Sequence, residues 1–247
     1  MTHGSLFSGI GGFDLAARRA GLRNVFWCEN DEFCRKVLRK HFWHSNQLND
    51  IKNEDFTRYR GRVDVVSGGF PCQDISIAGK QAGLTEGKRS SLFFEMVRAV
   101  AEVQPKFVVW ENVPEVINYL DIIRDEMRAV GYNNMWGRMF CAWEFGYPHK
   151  RKRFFAVHFA DTECNGLDKA SYLDDYADKM LQSETQIRKL NHNIGRAFWN
   201  ITHCEDFRRD DGLSNKLVQN QLKGYGNAIV PDIGELIFRG LKTFISR

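Results

Sequence analysis

The side chain best suited to nucleophilic chemistry is Cys72, in the run Gly68-Gly69-Phe70-Pro71-Cys72-Gln73. A thiolate is a potent nucleophile near neutral pH, and a glycine-rich loop leaves it accessible and tunable. A carboxyl group of the right type for acid–base assistance lies at Glu111, which opens Glu111-Asn112-Val113. A second kind of chemistry is suggested by Phe7-Ser8-Gly9-Ile10-Gly11-Gly12-Phe13 and by Glu29, twenty residues after Gly9. Glycines at a strand-to-helix turn let a ligand approach the backbone, and an acid at that spacing suits a ribose diol. Each feature has a plain alternative. A glycine-rich turn beside a surface acid is ordinary architecture, a dehydrogenase would use the same pair, and many cysteines are buried apolar residues.

Phase along the chain weighs between these alternatives. Val25-Phe26-Trp27, Val63-Asp64-Val65-Val66 and Phe107-Val108-Val109-Trp110 read as buried strands. Glu29, Cys72 and Glu111 each follow one of them. In an open parallel sheet ligands sit beyond the carboxyl ends of the strands, so the three belong to one crevice. Helical patterns fill the intervals: residues 14–20, stopped by Gly21, then 91–103, then a segment opening at Pro114 and closing at Gly131. A last helix starts at Pro231 with Ile233, Leu236, Ile237, Leu241, Phe244 and Ile245 as its apolar stripe. Alternating strands and helices predict an α/β fold with a mostly parallel, doubly wound sheet. Residues 161–178 carry six acids and one lysine without a sustained apolar period, and read as a loop or small insert.

Composition narrows the class. The chain has 247 residues, 43% hydrophobic and 27% charged, the balance of a globular protein with a substantial core. No apolar run approaches the roughly 20 residues that span a bilayer, and the start lacks the blocks of a signal peptide, so a cytoplasmic location is expected. The cysteines at 28, 34, 72, 141, 164 and 204 contain no C-x-x-C pair, which argues against a structural zinc site or a disulfide framework; no metal is expected. Residues 160–222 hold 8 Lys/Arg against 11 Asp/Glu, whereas the remainder holds 27 against 20. The positive charge therefore sits in the body, where phosphates could be held.

The ordered blocks FSGIGGFDLA (7–16), CEND (28–31), GGFPCQDIS (68–76), ENV (111–113), KRKRFF (150–155) and GYGNAIVP (224–231) resemble those of the DNA (cytosine-5)-methyltransferases. The resemblance covers roughly residues 4–160 and 212–247. It implies a Rossmann-like S-adenosylmethionine-dependent methyltransferase fold, with Cys72 as nucleophile and Glu111 holding cytosine N3 and the exocyclic amine. Phe7, Gly9 and Gly11 would shape the cofactor pocket beside Pro71, with Phe13 near the adenine. Glu29 would bind the ribose hydroxyls and Asp50 would accept from the adenine amine. Arg151 and Arg153 match two arginines of a catalytic-pocket strand, and alternation would turn them inward and Lys150 and Lys152 outward. Asn227 matches a block supporting the pocket. Gln73, Ser76 and Arg89 fall on a loop that resembles the family's DNA-closing loop.

The family usually has glutamine where this chain has His149 and phenylalanine where it has Ile75. Its usual block between the recognition region and the last helix is not recognisable here. The resemblance divides the chain into a catalytic and cofactor-binding domain (1–159), a short target-recognition region (160–222) and a returning helix (223–247). Within 160–222 the acidic stretch is expected to turn from phosphate, and the basic stretch with Arg208 and Arg209 to face it. Duplex DNA is the expected substrate of a monomeric enzyme, with a cognate restriction endonuclease as possible partner. An RNA cytosine methyltransferase, a non-catalytic binding module and a nicotinamide oxidoreductase remain open on sequence alone.

Overall fold

The computed structural model describes residues 1–71, 92–147, 150–160, 169–182 and 229–246. Its frame is a seven-stranded sheet in the order β3-β2-β1-β4-β5-β7-β6. The strands are β1 (Thr2–Leu6), β2 (Arg23–Cys28), β3 (Asn46–Leu48), β4 (Val65–Gly68), β5 (Phe107–Asn112), β6 (Asn134–Cys141) and β7 (Lys152–Phe159). β3, β2, β1, β4 and β5 pair in parallel, while β7 runs antiparallel to both β5 and β6. All six residues of β5 are buried, as expected of a strand covered on both faces.

The helices explain that coverage. On one face lie α1 (Gly12–Arg19), α2 (Glu32–His41), α5 (169–182) and α6 (Pro231–Ile245). Phe13, Ala16, Phe155, Phe159, Ile233, Ile237 and Phe238 share its main core. α3 (Leu92–Val103) and α4 (Leu120–Ala129) cover the other, where Phe93, Met96, Val100, Ile123 and Met127 meet Val66, Val108 and Trp110. Helix α6 can lie close because it carries glycine at the contacts. A Cβ at Gly234 would stand 2.9 Å from the Ala16 Cβ, and one at Gly240 would meet the Tyr176 ring at 3.0 Å.

Three sequence expectations change. The segment from Pro114 is a 3-10 turn (Pro114–Tyr119) that passes directly into α4 rather than one continuous α-helix. Glu111 is inside β5 rather than after it. Within the acidic stretch, 161–168 lies outside the described residues, but 169–182 is helical. Lys169, Leu173 and Ala177 recur every four residues and are buried. The stripe is narrow because Lys169 serves as an apolar position, its ammonium 5.1 Å from the Phe159 ring centroid. The acids hold the helix to the sheet: Asp174 accepts from the Trp136 indole at 2.9 Å, and Arg138 pairs with Asp178 at 2.7 Å.

A buried polar cluster joins β1, β2, β4 and α1. His3 bonds Asn24 at 2.9 Å and Ser67 at 2.7 Å, and the Asn24 amide donates to the Asp14 carbonyl at 2.9 Å. The Asp14 carboxyl is fully buried, while the nearby Ser5 hydroxyl donates to Ser8. Burial pushes Asp14 up to about 7, against a smaller pull from Ser5, and the adjoining His3 is pushed down to about 4 and stays neutral. Below the unfolded pKa both states hold the Asp14 proton. As pH rises toward 7 only the unfolded chain releases it, so stability is lost over that window and then levels off. Asp14→Asn should therefore change stability little near pH 4 and raise it by about 1–4 kcal/mol near pH 8. Urea unfolding at the two pH values measures the difference; equal gains at both would place the proton elsewhere.

Candidate active site

A cavity of about 440 Å3 lies at the carboxyl ends of the parallel strands, walled by Phe7 and Gly9 at one end and by Pro71, Glu111 and Arg153 at the other. That volume is in the range of small-molecule sites. Glu29 follows β2 directly and is held by two backbone amides. Gly9 N–H donates to its Oε2 at 2.7 Å and Asp31 N–H to its Oε1 at 2.7 Å. A carboxylate offers about four acceptor positions, so each oxygen retains capacity for a hydroxyl. Arg35 steadies the same turn, donating to the Asn30 carbonyl at 2.9 Å. Asp50 caps a 3-10 turn (Ile51–Asn53), its Oδ1 accepting from Lys52 N–H at 3.1 Å. Phe33 and Ile51 add apolar wall. Phe7 holds φ at 51°; a bulky residue in the left-handed region costs about 1–3 kcal/mol, a strain that concentrates at ligand sites. This end has the acceptors and apolar surface that a nucleoside requires.

The other end carries a carboxyl group and two guanidinium groups, Glu111, Arg151 and Arg153. Glu111 is buried, and Arg153 Nε pairs with its Oε1 at 2.9 Å. A Cβ on Gly69 would lie 3.3 Å from Glu111 Oε2, so the chain leading to Pro71 passes hard against the carboxyl group. Asn112 fixes that passage by donating to the Phe70 carbonyl at 2.9 Å, while the Phe70 ring packs on Phe93 and Trp110. Burial lifts the Glu111 carboxyl above the ordinary carboxylate range, outweighing the guanidinium charges of Arg153 and Arg151. That carboxyl group therefore takes up a proton more readily than an exposed one would. Arg151 and Arg153 line the cavity, and Lys150 and Lys152 are exposed.

The cavity thus brings together Phe7, Gly9, Glu29, Asp50, Pro71, Glu111, Arg151 and Arg153. Two residues expected there are elsewhere. Gly11 caps α1 at φ 89°, with Phe42 and Leu38 behind it. Phe13 points into the helical layer, its ring 6.3 Å from Phe155 and 6.1 Å from Phe238, because α1 begins at Gly12 and turns its second residue onto the sheet. Cys72, Gln73, Ser76, Arg89, His149, Arg208, Arg209 and Asn227 lie outside the described residues. Sequence reasoning missed Asn112, Phe33 and Ile51. Asn112 sits inside the block that contains Glu111, which was signal enough. Phe33 and Ile51 are ordinary apolar residues until the fold brings them to one wall. Among the described residues no group of three or more His, Cys, Asp or Glu could hold a metal ion.

Residues 1–226 match the family model of the C-5 cytosine-specific DNA methylases. The chain is 38% identical over 169 residues to the Type II methyltransferase M.Eco47II of Escherichia coli, covering 66% of this chain and 40% of that protein. It is 37% identical over 158 residues to M.PspPI of a Psychrobacter strain, covering 62% and 38%. It therefore spans well under half the length of these two relatives. A solved Spodoptera frugiperda DNMT2 variant superposes with a TM-score of 0.55 at 19% identity, over 68% of this chain and 52% of that one, a likeness of fold. The chain belongs to the C-5 cytosine-specific DNA methylase family.

Proposed function

We propose that this chain transfers the methyl group of S-adenosylmethionine to C5 of a cytosine extruded from duplex DNA, with Cys72 as nucleophile. The observation that carries it is one cavity holding an acceptor-rich nucleoside end, at Glu29 and Asp50, and a buried carboxyl paired with a guanidinium, Glu111 with Arg153, beside Pro71. In the chain Cys72 follows Pro71 directly. Glu29 would hold the ribose hydroxyls, Asp50 the adenine amine, and Phe7, Phe33 and Ile51 the apolar faces. When bound, S-adenosylmethionine supplies an electrophilic methyl group.

The chain's own residues prepare the base. Extruding a cytosine costs about a few kcal/mol, which pocket contacts must offset. The Cys72 thiolate adds at C6, and the displaced electron pair moves through the ring to N3, where Glu111 delivers a proton. C5 thereby becomes nucleophilic. After methylation the C5 proton passes to solvent, the double bond re-forms, the thiolate is expelled, and N3 returns its proton to Glu111. A free thiol is only a few per cent ionised at neutral pH, so the charges of Arg151 and Arg153 favour the attacking form. The relatives are named Type II methyltransferases, which supports a restriction–modification setting in a prokaryotic or phage-infected cytoplasm and a cognate endonuclease as partner. With α5 committed to the body, target recognition is proposed for the rest of 160–222, including Arg208 and Arg209.

Expression in a methylation-free host followed by base-resolution mapping of 5-methylcytosine tests the whole reading. The expected result is 5-methylcytosine in one sequence context. Unmodified DNA from cells making folded, cofactor-binding protein would overturn it, and methylation confined to RNA would move the substrate. The cofactor end is tested separately. Glu29→Ala should weaken S-adenosylmethionine by about 1–3 kcal/mol in calorimetry, through unpaired hydroxyls and released Gly9 and Asp31 amides. An unchanged dissociation constant would refute the ribose role.

A further inference from the structure

Beyond the cavity, the same edge of the sheet presents an indole to solvent. β6 runs parallel to β5, so its carboxyl end, like that of β5, lies at the Glu111 edge. There the chain makes a 3-10 turn (Ala142–Phe145) on which Trp143 is 59% exposed. The turn is anchored by core packing and backbone hydrogen bonds. Ala142 and Phe145 are buried with Phe140 in the core, Ala142 N–H donates to the Arg151 carbonyl at 3.0 Å, and Gly146 N–H to the Trp143 carbonyl at 3.0 Å. An exposed indole on a turn held in this way offers a flat aromatic face with a polar edge, the combination that suits tryptophan to interfaces.

The neighbours identify the chemistry of what it contacts. Cys141 pairs with Lys152 across the hairpin, so the tip beside Trp143 carries Lys150 and Lys152, both exposed. Between 142 and 153 the single acid is Glu144, and its Oε2 is folded back to accept from Cys141 N–H at 2.6 Å. The rim therefore offers two lysine charges and an aromatic face with the nearby carboxylate turned inward. Polyanionic backbone with exposed bases matches that combination; lysines take phosphate and the indole takes a base plane.

The geometry points to Trp143, with Lys150 and Lys152, as a nucleic-acid contact at the mouth of the catalytic cavity that stacks on a base unpaired when the target cytosine leaves the duplex. This rests on the methyltransferase reading. It makes Trp143 a positioning residue, outside the reacting atoms and outside the cofactor end.

The test uses the full chain and two 25-base-pair probes, one fully paired and one carrying a single mismatched cytosine, followed by fluorescence anisotropy across a salt series. Trp143→Ala should weaken the mismatched duplex by about 5- to 150-fold, the loss of one base stack, and the paired duplex less. Trp143→Phe should recover most of the difference. Trp143→Leu, which keeps apolar bulk without a stacking face, should not. Lys150→Ala with Lys152→Ala should weaken both probes alike and flatten the salt slope by up to about 2. S-adenosylmethionine affinity should stay at the wild-type value in all four variants, which also reports folding. Wild-type binding of both probes by Trp143→Ala, or full recovery by Trp143→Leu, overturns the contact while leaving the methyltransferase reading intact. If the wild-type chain binds neither probe and methylates no DNA, both fall.

Discussion

With Cys72 as the proposed nucleophile, Cys72→Ser should abolish methyl transfer, by on the order of 10^4-fold or more, and should leave S-adenosylmethionine affinity close to wild type. The reason is acidity. A serine hydroxyl is essentially never ionised at neutral pH, so the pocket cations that help a thiol ionise have nothing to act on. The separation of effects follows from the layout of the cavity. The residues assigned to the nucleoside lie on the turns after β1, β2 and β3, while Pro71 closes the opposite end beside Glu111. Tritiated-methyl transfer and calorimetry on the same preparation measure the two quantities. Near-wild-type turnover would remove Cys72 from the mechanism, and a parallel loss of cofactor affinity would mean that the two ends of the cavity are not independent.

Glu111→Gln is the second large effect. A positioned acid–base group contributes about 10^2- to 10^4-fold, and glutamine keeps the shape while losing the transferable proton. Cofactor affinity should hold. The pH profile separates proton transfer from mere disruption. Because burial holds Glu111 above the ordinary carboxylate range, its protonated form persists to higher pH than a surface acid would allow. Wild-type transfer should decline as pH rises through that pKa, and the decline should vanish in Glu111→Gln. The variant also leaves the Arg153 guanidinium beside an amide. Removing one partner of a buried pair costs about 3–5 kcal/mol; here the cost should fall below that, since the Arg153 side chain is 22% exposed and can hydrate. Glu111→Asp should recover the pH limb in part. A variant that keeps the wild-type rate would assign the proton at N3 to another group.

Strands β2, β4 and β5 and helices α1, α3, α4 and α6 were legible because local chemistry and packing agree there, whereas β1, β3, β6 and α2 gave no comparable signal. β5 is an unbroken apolar run and is buried on both faces; Pro231 and the stripe after it mark α6 without ambiguity. That the two carboxyl groups share one cavity was legible for a related reason. Glu29 and Glu111 stand at strand termini, and the parallel-sheet rule sends such residues to one edge. Where the sequence misled, the deciding interactions were distant. Helix 169–182 hides its pattern because Lys169 occupies a buried position, with its ammonium over the Phe159 ring, and its acids are counted as repulsive until Trp136 and Arg138 are opposite them. Phe13 belongs to a ligand-loop motif, yet the direction of α1 sends it into the core.

By itself, then, the sequence determined the strand-and-helix alternation, the residue types at the strand ends and the family to which their order belongs. These depend on periodicity and on covalent neighbours. Tertiary structure alone decided that Glu111 would be buried against Arg153, that Gly69 would leave room for its carboxyl group, and that Glu29 would be held by the amides of Gly9 and Asp31. It also decided that Trp143 would face solvent beside Lys150 and Lys152. Each of these is a contact between segments far apart in the chain or across a turn, and such contacts exist only once the sheet order and its register are set.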